Sequence, residues 1–484
     1  MCFACHKKAL NAISFPVSLY VKVKSIRTLS VAKFGGSLLS DEGENIPAIL
    51  DRIAALKNQT DCGPIVVFSA PNGFTDKLIR IGESYTQSKP LPLDSIFNVY
   101  ESLAKKYVKG NYLKQAVDEL QKIRRQLDES VALINKRFHG TVKAKVLTHG
   151  GELPTSVLMD YIMRSNGLDS CHITKEEWPI VTDDNFENAT PNYALSKSKT
   201  NPLIEALEAG KIVVLGGFLG ITIDGLETIL GRGGSDLSAI FVSCLLKRRC
   251  KVETVLFKEM PAQSADPNMV KGQATEQLVS LTYNEAHKAS KMGMKIVQGD
   301  AISMAKQFKQ PIKVVSIARP EEYTMIESES NVDQTVKCVT GKSGCAILSM
   351  DDKNSRSFED ALRIWENCND FLDLGTETLE TGKRIRDFLF LDSEFLRKNE
   401  ERLKGFDEEL TIEYGVGVVT LIGDGMKYSS GVASIAIGAI PQINIKRGIF
   451  APHTSQIILL VKENKVGETV AAIHAKRHEM NQTN

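Results

Sequence analysis

The chain of 484 residues sets 60 Lys and Arg against 59 Asp and Glu, so its overall field draws it neither to nucleic acid nor to an anionic membrane surface. Its length provides for two or three domains with well-buried cores. No apolar run approaches the roughly 18–20 residues that cross a bilayer, and a soluble protein is expected.

The first forty residues hold six Lys or Arg and no Asp or Glu. Such an acid-poor, Ser-containing start fits either a transit peptide for a plastid or another organelle, or a leader without function. Residues 1–28 are therefore set apart as an N-terminal extension. Nine cysteines, at 2, 5, 62, 171, 244, 250, 338, 345 and 368, follow no framework spacing, which points to reduced thiols in a cytoplasmic setting. Cys2-Phe-Ala-Cys5-His6 has the haem-attachment spacing, but no export signal precedes it, and it reads as a chance match.

Ser30-Val-Ala-Lys-Phe-Gly-Gly-Ser37 predicts a short strand that runs into a glycine turn, with Lys33 as a cation at its end. It is not a Walker sequence, and the one GK[ST] string, Gly341-Lys342-Ser343, lacks the upstream glycine and reads as a turn. Pro64–Ser69 predicts a buried strand. Asp94–Phe138 predicts a long helical region, in which Leu113, Val117, Leu120, Ile123, Leu127, Val131 and Ile134 form one apolar stripe. The uncharged run Ile212–Ile223 predicts a strand buried on both faces, followed by a turn at Asp224-Gly225. Gly231-Arg-Gly-Gly-Ser-Asp-Leu-Ser-Ala239 then opens the apolar helical run Ile240–Leu246. Glycines 231, 233 and 234 allow positive φ and close approach of a ligand, the helix start favours an anion, and Arg232 can grip a carboxylate at two points. Ser235 or Asp236 acting as a plain helix cap is the competing explanation.

Strands alternate with helices to about residue 318, which predicts a doubly wound, mostly parallel α/β domain over 29–318. From residue 331 the units shorten. Gly415–Ile422, Ser430–Ile440, Ile443–Ile449, Gln456–Lys462 and Val466–His478 read as β, α, β, β and α over 411–484. Residues 331–405 read as a less regular copy, with Cys345–Met350, Ser357–Cys368 and Arg384–Leu391 as its elements and no clear glycine turn after its opening strand. The boundary between the copies is placed at 405–411, where exchange of terminal strands could blur it.

KFGGS at 33–37, GFLG at 217–220, LGRGGSD at 230–236 and ADP at 265–267 resemble the ordered signatures of aspartate kinases in the amino acid kinase family. The likeness runs from about Val31 to the C-terminus, and the two tail copies resemble ACT modules, α+β (βαββα) units that bind amino acids between paired copies. The resemblance implies transfer of the γ-phosphoryl of ATP, with Mg²⁺, to the β-carboxylate of L-aspartate, the first step of lysine, threonine and methionine synthesis. It further implies feedback by an end-product amino acid, lysine being the expected effector, and at least a homodimer. Neither nucleic acid nor membrane is an expected partner.

A carboxylate is already nucleophilic at neutral pH, so this chemistry needs positioned cations and N–H groups rather than a general base. By resemblance, Lys33 and Lys295 face the phosphates, with Gly35, Gly36 and Ser37 as an N–H cradle. Asp236 organises the site, Arg232 and Ser235 lie by the amino acid, and Thr75, after Ser69-Ala70, contacts it. Glu152 of His149-Gly-Gly-Glu152 faces the substrate amino group. Lys258, Glu259 and Ile296 fall in the nucleotide region, and no metal ligands are assigned.

That region departs from the family. Phe257-Lys-Glu-Met260 replaces the usual aromatic and Asp-Val string with one residue fewer, Asn268 replaces an arginine, and Val297-Gln-Gly299 replaces Leu-His-Pro. Altered adenine and ribose contacts are expected. Two other readings stay open: a kinase for another amino acid carboxylate or carbamate, and an amino-acid sensor that kept the fold without turnover.

Overall fold

The computed structural model describes residues 28–330, 334–364, 371–451 and 454–482. Most of the 1–28 extension, with Cys2, Cys5 and His6, lies outside the described residues, as do positions 365–368 of the helix expected over Ser357–Cys368.

The strands are β1 (Thr28–Phe34), β2 (Ile65–Phe68), β3 (Ser170–His172), β4 (Val181–Thr182), β5 (Ile212–Gly216), β6 (Leu219–Thr222), β7 (Glu227–Ile229), β8 (Lys251–Lys258), β9 (Ser280–Thr282), β10 (Ile312–Ser316) and β11 (Tyr323–Glu327). Eight of them form one sheet in the order β3-β5-β2-β1-β8-β10-β11-β9. All of its pairings are parallel except β10 with β11. Side chains alternate across it: Leu29 and Val31 enter one core, Ala32 and Phe34 the other, the period of two expected of strands covered on both faces. This is the doubly wound α/β architecture read from the alternation. From β1 the chain first builds toward β2, β5 and β3, then returns to lay β8 on the other side. The order therefore reverses between β1 and β8, where open α/β sheets bind ligands.

Three expectations are corrected. The run Ile212–Ile223 is not one strand: it breaks at Gly217-Phe218 into β5 of the main sheet and β6 of a small β4-β6-β7 sheet. A Cβ at Gly217 would meet Ser235 Cβ at 2.6 Å, and Phe218 holds φ at 70°, so the chain turns away to make room for the helix Gly234–Leu246. The long helical region is two helices, Asp94–Tyr107 and Tyr112–Ala132, separated where Gly110 takes φ of 61°. The main sheet also continues past residue 318, because β11 folds back on β10.

A second sheet holds β12 (Cys338–Asp351), β13 (Phe371–Thr378), β14 (Arg384–Phe390), β15 (Thr411–Ile422), β16 (Arg447–Ala451) and β17 (Gln456–Lys462) in the antiparallel order β13-β14-β12-β15-β17-β16. The helices Asp352–Ile364 and Ser393–Lys404 complete one βαββα unit. Val432–Gly438 and Val466–Ala475 complete the other. The two long strands belong to both. Val339, Val419 and Leu421 pack in one core with the last helix, while Ala346, Leu348 and Ile412 pack in the other with Phe358 and Leu396. A cut at 405–411 thus separates the helices but not the strands. Gly341-Lys342-Ser343 is no turn either. It lies inside β12, where the register shifts between Lys342 and Cys345 and Gly344 takes φ of 73°, a bulge.

The two sheets are joined by a buried ion pair. Lys337 Nζ, just ahead of β12, lies 3.1 Å from Glu285 Oε2. Glu285 also closes the capping box with Thr282 on the helix Tyr283–Lys291 and accepts from the Asp424 N–H at 2.9 Å.

Candidate active site

Lys33 is the charged residue of β1 on the face shared by Leu29 and Val31, and that face carries the helix Gly234–Leu246, all thirteen of whose residues are buried. The period of two thus aims its ammonium at the first turn of that helix. Lys33 Nζ lies 2.6 Å from Asp236 Oδ1. Lys258, at the end of neighbouring β8, lies 3.2 Å from Oδ2. One carboxylate therefore holds two lysines at the C-terminal ends of the two strands that flank the switch point. Burial would lift the Asp236 carboxyl, but the charges of Lys258 and Lys33 outweigh it and hold it down at about 2. Burial and the neighbouring Lys258 pull the Lys33 ammonium below its ordinary value, against the opposing pull of Asp236. The site thus holds two cations on one fixed anion, Lys33 buried and Lys258 partly exposed.

The turn ahead of this helix needs its glycines. Gly231 and Gly233 hold φ of 70° and 76°, whereas Gly234 begins the helix without a positive φ. A Cβ on Gly233 would lie 1.9 Å from Gln298 Cγ. The helix cap is Gly233, with no side-chain cap, so Ser235 and Asp236 are free of the capping role. Ser235 is buried against Gly217, and Arg232 is exposed, with no ion pair or hydrogen bond among the described residues. At the other glycine turn, β1 passes into the short helical turn Gly36–Leu38. A Cβ at Gly36 would meet the Ala70 carbonyl at 2.5 Å, so glycine is what lets the two strand ends close together. Gly35 is buried beside Lys33 and Ser37 is exposed.

Glu152 opens the helix Glu152–Ser165 and is 5 % exposed. Burial raises its carboxyl to about 7, against the pull of the Ala70 backbone N–H and the charge of Lys33. Tyr100, which the apolar pattern gave no reason to single out, donates its hydroxyl to the Gly151 carbonyl at 2.8 Å and so fixes the backbone just before Glu152. Thr75 is half-buried in the first turn of Phe74–Thr86.

The structure does not bring every expected residue into contact. Lys295 is exposed in the loop between Tyr283–Lys291 and Gly299–Phe308, while Ile296 beside it is buried. That loop nonetheless reaches the site, since Gln298 is the side chain seated against Gly233. Glu259 is exposed, and its backbone carbonyl accepts from Ser316 Oγ at 3.1 Å. Sequence reasoning missed Tyr100 and the buried Glu227, and marked Gln298 only as part of the departing string Val297-Gln-Gly299. Of the two that were missed, Glu227 left a signal, a single acid in the short strand Glu227–Ile229 flanked by Leu226 and Leu230.

Among the described residues no group of three or more His, Cys, Asp or Glu could hold a metal ion, and none of the helices is long and apolar enough to cross a membrane.

The sequence profile of the Amino acid kinase family matches residues 28–316. An aspartokinase of Helicobacter pylori is 24% identical over 467 residues, covering 92% of this chain and 98% of its own. Aspartokinase 2 of Bacillus subtilis is 26% identical over 346 residues, covering 67% and 79%. Two structures of E. coli aspartokinase III share the fold at 20% identity, each covering 93% of this chain and 99% of its own. One, with aspartate and ADP in the R-state, has a TM-score of 0.73; the other, with lysine and aspartate in the T-state, has 0.68.

Proposed function

Because the chain belongs to the amino acid kinase family, we propose that it transfers the γ-phosphoryl group of ATP to the β-carboxylate of L-aspartate, giving 4-phospho-L-aspartate. The observation that carries this reading is the pair Lys33 and Lys258 on one buried Asp236 at the strand switch point. The chemistry asks for little else. The acceptor carboxylate is ionised at neutral pH, so catalysis consists of neutralising charge on the phosphoryl oxygens and holding donor and acceptor in line. Lys33 and Lys258 supply fixed cations. Asp236 keeps them apart and aimed, and the backbone at Gly35 and Gly36 offers N–H groups to the phosphates.

Arg232, exposed and unpaired among the described residues, is left for the α-carboxylate of the acceptor. Glu152 takes the α-ammonium, with Ser235 and Thr75 beside it. A residue pair that grips both ends of an α-amino acid favours aspartate over a carbamate. Lys295 reaches the nucleotide from the loop at Gly293–Gln298, and Ile296 and Glu259 contribute to the same nucleotide site. Mg²⁺ would come bound to the ATP phosphates and would neutralise part of their charge.

The aspartokinases of Helicobacter pylori and Bacillus subtilis and the solved E. coli enzyme with aspartate and ADP support the substrate assignment. The second sheet is assigned as a pair of effector modules that exchange β12 and β15, with the catalytic part running to Glu327. Lysine is the assigned effector, supported by the E. coli T-state complex with lysine. A homodimer or larger assembly in the cytoplasm completes the reading, and the six described cysteines are all free, as a reducing compartment requires. Trapping the product with hydroxylamine in the presence of L-aspartate and MgATP tests the activity.

A further inference from the structure

Glu227 is a buried carboxylate that phosphoryl transfer leaves without a task. Its side chain is 3 % exposed and takes three donors: Lys175 Nζ at 2.7 Å, Thr148 Oγ1 at 3.1 Å and His149 Nε2 at 3.2 Å. Burial alone would raise its carboxyl, but His149 and Lys175 outweigh it and hold it at about 2, so it is an anion at neutral pH. An ionised group is expensive to bury unless it is paired and hydrogen-bonded, and an apolar residue would fill this space more simply.

The partners belong to the acceptor site. Thr148 and His149 end the helix Gly140–Gly150, directly ahead of Gly151 and Glu152. Glu227 itself begins β7, the strand that delivers Gly231 and Arg232. A single carboxylate thus ties the segment carrying Glu152 to the segment carrying Arg232. Val146, Leu147 and Ile229 pack the two segments in one apolar core, but beside the carboxylate that packing is incomplete: a cavity of about 30 Å³, lined by His149, Glu152, Lys175, Gly216 and Glu227 among others, leaves room for one water. His149 Nδ1 is buried without a hydrogen-bond partner. Among the described residues, then, only Glu227 holds the polar atoms of that ring.

We propose that Glu227 is a positioning residue for acceptor recognition, a clamp that fixes the separation of Glu152 and Arg232 and so the fit of an α-amino acid between them. The proposal rests on the reading that those two residues grip the acceptor. Glu227 touches neither substrate, and its effect falls on acceptor binding rather than on the phosphoryl site.

The test compares steady-state constants of wild type, Glu227→Gln and Glu227→Asp, using the α-amino acid that wild type phosphorylates best in a screen of acceptors. In Glu227→Gln the KM for the acceptor rises by about tenfold or more, while the KM for ATP stays within about twofold and kcat falls much less. Glu227→Asp, which keeps the anion, lies between Glu227→Gln and wild type. His149→Asn, which breaks the same link from the other side, repeats the pattern if Glu227→Gln does not fold. An unchanged acceptor KM overturns the proposal. So does an equal rise in both KM values with no recovery in Glu227→Asp, the outcome of a merely structural residue. If wild type phosphorylates no α-amino acid, the catalytic reading fails by itself. The rise in melting temperature on adding L-aspartate then decides on Glu227: a rise in wild type that is lost in Glu227→Gln supports the clamp, and equal behaviour of the two overturns it.

Discussion

Lys33 Nζ and Asp236 Oδ1 lie 2.6 Å apart, and this contact joins the first strand of the main sheet to the first turn of its most buried helix. With Lys258 on the other carboxylate oxygen, it makes the phosphoryl site a preformed arrangement of charge that does not have to be assembled by the substrate.

Lys33→Ala should therefore damage the chemical step rather than acceptor binding. Loss of one preorganised cation or donor at a site of developing charge costs about 100- to 1,000-fold in kcat. L-aspartate affinity, measured by calorimetry, should move by less than about threefold, since Arg232 and Glu152 remain. A variant with wild-type kcat would remove Lys33 from the mechanism.

Glu152 gives the acceptor a pH dependence. Its carboxyl sits at about 7 because burial raises it, and only the ionised form pairs with an α-ammonium. Below that pH a proton must leave on binding, so aspartate affinity should fall with falling pH, approaching about tenfold per unit. The stability of the unliganded protein should follow the opposite trend. A folded-state value raised above the ordinary one contributes stability that is present below about 4.5 and lost as pH rises through about 7. Glu152→Gln should weaken aspartate binding and flatten both trends. A kcat/KM profile for aspartate that is level from about pH 5.5 to 8.5 would contradict the assignment.

Gly233 cannot be replaced quietly. Its φ of 76° is left-handed, and a Cβ there would lie 1.9 Å from Gln298 Cγ. Gly233→Ala meets both a backbone cost of about 1–2 kcal/mol and a clash that pushes the Lys295 loop outward. The KM for ATP should rise. Adding Gln298→Ala removes the clash but not the strain, so the double variant should recover part of the ATP affinity and little of the melting temperature. Equal KM values in the single and double variants would show that Gln298 does not connect that loop to the turn.

Much of this site was legible in the sequence because it is written in residue types with few other uses. Gly231 and Gly233 carry the positive φ expected of them, and a lysine at the end of an apolar strand has little reason to be there without an anion to meet. The order of strands and helices followed from periodicity. What was not legible depends on contacts between distant segments. Nothing in the uncharged run Ile212–Ile223 marks the break at Gly217-Phe218, which exists because Ser235 occupies the space beside Gly217. The Glu227 cluster draws Thr148 and His149 from the end of one helix and Lys175 from a loop after β3. The two long strands β12 and β15 serve two cores at once, so a reading by consecutive units places a boundary where the sheet has none.

Trapping the acyl phosphate tests the central claim most directly. With hydroxylamine present, the purified protein should form aspartate hydroxamate only when both L-aspartate and MgATP are supplied, and the Lys33→Ala protein should form almost none. A wild-type protein that binds both substrates yet yields no hydroxamate would contradict the account and leave a fold that senses aspartate without phosphorylating it.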